Sequence, residues 1–86
     1  MNLRPTSSVV SASQGNVLVL MHFDDGTYYR LNETASRIWT LACAGSDEAA
    51  IVDLITTEFG ADATGVAGDV RSTMEKFTSL NLLVQA

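Results

Sequence analysis

Few side chains in this sequence are of the types that do chemistry, and they are scattered. The chain has one histidine, His22, one cysteine, Cys43, and one adjacent acidic pair in a glycine turn, Asp24-Asp25. Nucleophilic catalysis needs a nucleophile beside a base, and a zinc site needs several Cys or His ligands at set spacings. His22 stands alone inside the apolar run VLVLMHF, where the plainer reading is a sheet-face histidine hydrogen-bonded to a neighbour or to water. Asp24-Asp25 precedes Gly26, the usual composition of a solvated turn. Cys43 has no second cysteine to bridge to, reads as a small apolar group packed on a helix, and points to a reducing compartment. The stretch GVAGD at 65–69 has neither the GxGxxG spacing nor the preceding strand that dinucleotide binding requires. The sequence thus predicts no catalytic residues, no metal site and no cofactor. Binding is the function left to consider.

Composition narrows what is bound. Eighty-six residues predict one domain over 1–86, able to bury about 60% of its unfolded surface. The opening MNLRPTSS lacks a basic stretch followed by an apolar run. No segment reaches the roughly 20 apolar residues of a membrane span, so the expectation is a cytoplasmic protein with no membrane partner. Five basic against ten acidic residues give a net charge of −5. That charge repels phosphate backbones, weighs against nucleic acid and favours a partner with some positive charge.

The elements that must position a binding site follow from periodicity. A largely polar extended stretch, about Thr6 to Ser13, follows Pro5, and Gln14-Gly15-Asn16 signals a turn. Val17 to Phe23 reads as a central strand buried on both faces. Asp24-Asp25-Gly26 signals a hairpin into Thr27 to Leu31, so three strands run as an antiparallel meander. Asn32 is a good N-cap for a helix carrying Ala35, Ile38, Trp39 and Ala42 on one stripe and ending near Ala44-Gly45. A second helix opens at Ser46, with Asp47 and Glu48 on its positive end. It turns Ile51, Val52, Leu54, Ile55 and Phe59 inward and stops at Gly60. A third begins around Asp62 to Thr64 and runs to about Leu80, with Val66, Val70, Met74 and Phe77 on one face and Asn81 as a left-handed cap. The tail LLVQA is apolar enough to dock. The fold class is therefore α+β: a three-stranded antiparallel meander, then three helices arranged like a winged helix-turn-helix core.

Two features of this plan bear on function. The third strand, TYYRL, lies at a sheet edge with one side unpaired, and an edge must be protected or used. In a DNA-binding helix-turn-helix protein the last helix reads the groove. Here that helix offers Asp69, Arg71, Glu75 and Lys76, two acids against two bases, which is a poor recognition helix.

The segment GTYYRLNETASRIW, Gly26 to Trp39, has the form G-x-Y-Y-x-L-N-x-T-A-x-x-I-W. With the acidic start of the second helix, Phe59-Gly60, Asp69-Val70 and Leu82-Leu83, it resembles the PqqD-like proteins, recognition elements for ribosomally made, post-translationally modified peptides. The likeness covers about Val17 to Leu83. It implies a non-enzymatic domain that binds the leader of a precursor peptide as an added strand on the third strand, in a groove walled by the third helix, and delivers it to a processing enzyme. For an unfused chain of this size the resemblance implies a stand-alone partner of a lasso-peptide leader protease. The sibling alternative is a peptide chaperone for a radical SAM enzyme in pyrroloquinoline-quinone biosynthesis. A winged-helix DNA-binding protein and a structural subunit of an enzyme complex are the rivals from other classes.

The implied peptide site comprises Thr27, Tyr28, Tyr29, Arg30 and Leu31 on the strand, and Val66, Asp69, Val70, Arg71, Met74 and Phe77 on the third helix. Tyr28 and Tyr29 point to opposite faces, one toward the core and one available to the peptide. The apolar stripe is core first, its members nearest the strand forming the groove floor. Asp69 and Arg71 flank it, either as partners for leader charges or as solvated helix residues. Ile38 and Trp39 match the motif but fall on the core stripe. Gly65 and Gly68 lie in the first turns of the third helix, either keeping them loose or closely packed, or, for Gly65, forming a turn just before them.

Overall fold

The computed structural model describes residues 3–85, apart from the Ala63 side chain. In chain order the elements are β1 (Leu3–Pro5), β2 (Val9–Gln14), β3 (Val17–His22), β4 (Thr27–Arg30), α1 (Glu33–Cys43), α2 (Glu48–Phe59), α3 (Ala63–Ser79) and β5 (Leu83–Gln85). Strands β2, β3 and β4 form an antiparallel sheet in that order, so the meander and the three helices stand as the sequence predicts. Strands β1 and β5 form a separate two-stranded sheet, pairing Leu3 with Gln85 and Pro5 with Leu83. Three-residue strands carry too little alternation to be read from sequence. They form here because Leu82 and Leu83, both fully buried, bring the tail back to the core. The first meander strand starts later than predicted: Thr6 to Ser8 form a turn in which the Val9 N–H donates to the Thr6 carbonyl at 3.3 Å. It runs on to Gln14 because Gly15, at φ +64°, and Asn16 alone make the turn.

The register separates the two faces of the sheet. Leu18, Leu20 and His22 share a face with Tyr29, which pairs with Leu20, and Leu20 is fully buried. Val17, Val19 and Met21 point the other way and are only half-buried, as Val10, Ala12, Tyr28 and Arg30 on the same face are exposed. The expectation that β3 is buried on both faces is therefore wrong: the helices cover one side only. Phe23 falls outside the strand, in the turn, and is exposed.

Each helix starts on a side-chain cap. Asn32 Oδ1 accepts the Ala35 N–H at 2.8 Å, Asp47 Oδ1 the Ala50 N–H at 2.9 Å, and Asp62 Oδ2 the Gly65 N–H at 3.2 Å. On α1, Ile38, Trp39, Leu41 and Ala42 are buried, whereas Cys43 at its end is exposed and not packed in the core as expected. On α2 only Ile51 and Ile55 are buried, with Val52 half-buried. Leu54 and Phe59 are exposed, contrary to expectation. At 100° per residue Leu54 lies roughly 60° off Ile51, and Phe59 is the last residue before the left-handed Gly60, where the helix runs beyond its cover.

Gly65 and Gly68 both lie inside α3, so Gly65 is not a turn residue preceding it. A Cβ on Gly68 would meet nothing within 4 Å, and one on Gly65 only Asp62 Oδ2 at 4.0 Å, so close packing requires neither glycine. The helix ends as predicted: Asn81 takes φ 58°, and the Leu82 N–H closes onto the Phe77 carbonyl at 2.9 Å.

Candidate functional site

The Asp25-Gly26 turn sets up the edge strand. Gly26 takes φ +69°, and Asp25 Oδ1 accepts the Thr27 N–H at 3.0 Å, which holds the Asp25 carboxyl below its ordinary pKa. At the other end of β4 the Leu31 N–H donates to the Leu18 carbonyl at 2.9 Å. The reciprocal bond is replaced by the buried Ser36 hydroxyl, which accepts the Leu18 N–H at 2.8 Å and donates to the Leu31 carbonyl at 3.4 Å. This serine ties α1 to the end of the sheet and fixes where the helix starts relative to β4.

Antiparallel pairing alternates hydrogen-bonded and non-bonded residue pairs. Because Leu31 bonds Leu18, the backbone groups of Tyr29 and Thr27 also face β3, and those of Tyr28 and Arg30 face away. Two N–H and two carbonyl groups thus stand on the free edge of β4. No strand pairs with that edge among the described residues.

Beside it, β4 and α3 leave a groove of about 450 Å³. The strand wall is Tyr28 to Leu31, the helix wall is Ser72, Thr73, Lys76, Phe77 and Leu80, and Asn32, Ala35 and Leu82 complete the lining. Leu31, Phe77 and Leu82 are buried and make an apolar floor. Phe77 is braced from behind by Trp39, edge to face with ring centroids 5.2 Å apart. The groove continues past the start of α1 into a second hollow of about 340 Å³ that shares Asn32, Ala35, Ser72 and Thr73 and adds Thr34 and Asp69.

Of the residues expected at the site, Tyr28, Tyr29, Arg30, Leu31 and Phe77 line this groove, Asp69 lines its continuation, and Thr27 lies on the same strand. Tyr29 is the tyrosine turned toward the core, half-buried. Tyr28 is 69% exposed on the other face and stands at the rim. Val66, Val70 and Met74 do not line the groove: they are buried in the core. Arg71 is turned away too, its guanidinium 3.0 Å from Glu48 on α2. Asn32, Ala35, Ser72, Thr73, Lys76, Leu80 and Leu82 were not expected. On α3 they follow a second line, Asp69, Ser72/Thr73, Lys76 and Leu80, one helix face round from the apolar stripe. Small side chains at i+3 and i+4 beside that stripe are the sequence signal for it.

Two ion pairs form among the described residues, both outside the groove. Arg37 holds Glu58 through two hydrogen bonds of 2.8 and 2.9 Å, and Arg71 holds Glu48. Arg30 and Lys76, both in the groove lining, have no ion-pair partner among the described residues.

The other chemistry-bearing residues are occupied or remote. His22 is buried, its Nδ1 accepting the Asp24 N–H at 3.3 Å and its Nε2 facing the Asn81 carbonyl at 3.3 Å. An N–H can only donate, so Nδ1 must accept and Nε2 carries the proton. Both ring nitrogens are used structurally, as the sequence suggested. Among the described residues no three His, Cys, Asp or Glu side chains converge as a metal site. Cys43 borders a different hollow, of about 410 Å³, between α1 and β2 with Val9, Ser11, Ser13 and Trp39. There partial burial pushes its thiol pKa up and keeps it a weak nucleophile. No described helix is long and apolar enough to cross a membrane.

Comparison with known proteins identifies the family and the fold. Residues 18–83 match the family described as coenzyme PQQ synthesis protein D (PqqD). The chain is 35% identical to TbiB1, solved in complex with the TbiA(beta) leader peptide, over 93% of both chains with a TM-score of 0.87. It shares its fold with a lasso peptide synthetase B1 complexed with the leader peptide, at a TM-score of 0.90, 20% identity and coverage of 98% of this chain and 99% of that one. Comparison with curated protein sequences finds no match.

Proposed function

The chain belongs to the PqqD family, and on that premise we propose that it binds the leader segment of a ribosomally synthesised precursor peptide in the β4/α3 groove and presents it to a processing enzyme. The single observation that carries this reading is the conjunction of an unpaired strand edge with an apolar-floored groove beside it. A peptide laid along β4 gains up to four backbone hydrogen bonds from Tyr28 and Arg30, each worth about 0.5–1.5 kcal/mol net. These bonds accept any sequence, so selectivity falls to the side chains that reach the floor. A fully buried Leu or Val adds about 1.5–3 kcal/mol. The sum must exceed the cost of immobilising an extended peptide, which is why floor contacts decide which leader is held.

TbiB1, the 35%-identical relative solved with a leader peptide, supports a leader peptide as the ligand; the lasso-type leader and the leader protease as the enzyme served rest on the sequence resemblance. The chain's part is recognition by a single domain in the cytoplasm, and the bond-breaking chemistry belongs to its partner. A leader for a radical SAM enzyme in cofactor biosynthesis is the sibling reading, favoured by the family description itself. Fluorescence anisotropy with labelled leaders of both kinds, and with duplex DNA as control, tests the proposal. Saturable binding of a lasso-type leader is the expected result. Tighter binding of the cofactor-type leader would select the sibling reading. A salt-sensitive preference for DNA over every leader would overturn the adaptor reading.

A further inference from the structure

Strand addition alone leaves a question open. The free edge of β4 offers paired donors and acceptors to a peptide running in either direction, because both parallel and antiparallel ladders satisfy backbone groups. Presentation to an enzyme requires one direction, so some other feature must choose it.

The charges along the groove have the needed asymmetry. Asp69 and Lys76 lie on the same line of α3, seven residues apart, one on each side of the shared Ser72/Thr73 section of the wall. Seven residues are two turns and nearly the same azimuth, a separation of about 10 Å along the helix. Arg30 adds a second cation at the groove lining on the strand side. None of the three is in an ion pair among the described residues; outside the groove Arg37 and Arg71 are paired with glutamates, and Arg4 is not. In a chain of net charge −5 with only five basic residues, two of the three without an ion-pair partner among the described residues line this one groove. A lysine in the last turn of a helix does favour the macrodipole, but that explains neither Arg30 nor the acid two turns away.

We infer that the groove sets the direction of the bound peptide by charge: Lys76 and Arg30 take a carboxylate side chain, and Asp69 takes a basic one. A strand advances about 3.3 Å per residue, so the two peptide charges stand roughly two to four residues apart. The ligand class is an extended peptide carrying an acidic and a basic residue in a fixed order around its apolar anchors. This rests on the groove being the peptide site.

A phage-displayed library of short random linear peptides, selected on the wild-type chain, tests both points separately. Binders are first sorted by whether they lose affinity for the Tyr28→Pro variant, which removes a free-edge N–H. Among those that do, the expected result is an acidic and a basic position in one order. Exchanging the two charges in a synthetic binder should weaken it about two- to fivefold per pair, the range for exposed ion pairs. The difference should shrink as salt rises. The doubly swapped variant Asp69→Lys with Lys76→Glu should prefer the exchanged peptide. Groove-dependent binders that are indifferent to charge order, or a swapped variant with unchanged preference, overturn the inference and leave the groove reading intact. Binders that keep full affinity for Tyr28→Pro overturn the groove reading and this inference with it.

Discussion

Among the described residues the central sheet has two free edges, each beside a hollow of similar size, and the two hollows are lined differently. The hollow along β2 and α1 is about 410 Å³ and that along β4 and α3 about 450 Å³. Alternation from the bond between the Phe23 N–H and the Ser8 carbonyl leaves Ser11 and Ser13 facing outward on β2, as Tyr28 and Arg30 do on β4. What differs is the lining. Beside β2 stand Ser11, Ser13, Thr40 and Cys43 with the apolar Pro5, Val9, Leu18 and Trp39, and no charged side chain. Beside β4 stand two tyrosines, two cations with no ion-pair partner among the described residues, and a floor of Leu31, Phe77 and Leu82. An open edge supplies backbone bonding only, and anchors and charges turn it into a site.

The sharpest way to break the comparison is a proline on each edge. Tyr28→Pro and Ser11→Pro each remove an N–H that bonds no other strand, so both variants should fold. Tyr28→Pro should weaken leader binding tenfold or more, about 1.4 kcal/mol, beyond a Tyr28→Ala control that removes the ring alone. Ser11→Pro should leave affinity unchanged. Isothermal titration with one leader reads all three, and equal losses at both edges would show that the lining is not what distinguishes them.

A smaller effect is expected at Gly68. The helix beside β4, α3, has two interior glycines, and α1, beside β2, has none. With open space where a Cβ would go, Gly68→Ala should stabilise the chain by about 0.5–1 kcal/mol in urea titrations. If the glycines keep the groove wall loose, amides of Val66 to Val70 should exchange quickly in the free protein, slowly with leader bound, and slowly in free Gly68→Ala. Full protection in the free wild type would leave the glycines without that role.

The smallest effect concerns the Arg37–Glu58 pair, which ties α1 to α2 away from the β4/α3 groove. The hydrogen bond from Arg37 holds the Glu58 carboxyl below the ordinary glutamate value. A depressed folded-state pKa stabilises above the unfolded value and is lost as pH falls through the folded one. Glu58→Gln should therefore lower the melting temperature slightly near neutral pH, converge with wild type in acid, and not affect leader binding.

Much of this design is legible in the sequence because local chemistry dictates it. The glycine turn before TYYRL, the cap at Asn32, the left-handed Asn81 and the core stripe Val66, Val70, Met74 and Phe77 each follow from one residue's conformational preference or from a helical period. The edge status of β4 followed from strand order, and the motif from Gly26 to Trp39 pointed to the family. Leu54, Phe59 and Cys43 were misread as buried because an apolar side chain shows what would gain from cover, and not whether another element is there to give it.

The groove residues show where sequence reading stops. A hydrophobic stripe identifies the face of α3 that leaves water, and that face went to the core. The groove lies where α3 and β4 do not meet, so its lining of Ser72, Thr73, Lys76 and Leu80 depends on the angle and distance between two elements. Those are set by Ser36 holding α1 to the sheet end, by Trp39 behind Phe77, and by the buried Leu82-Leu83 tail. Sequence alone determined that this chain has an exposed strand edge and a helix to stand beside it. Only the tertiary structure decided how far apart they stand and which side chains face the gap, because that gap is what remains after long-range packing is satisfied.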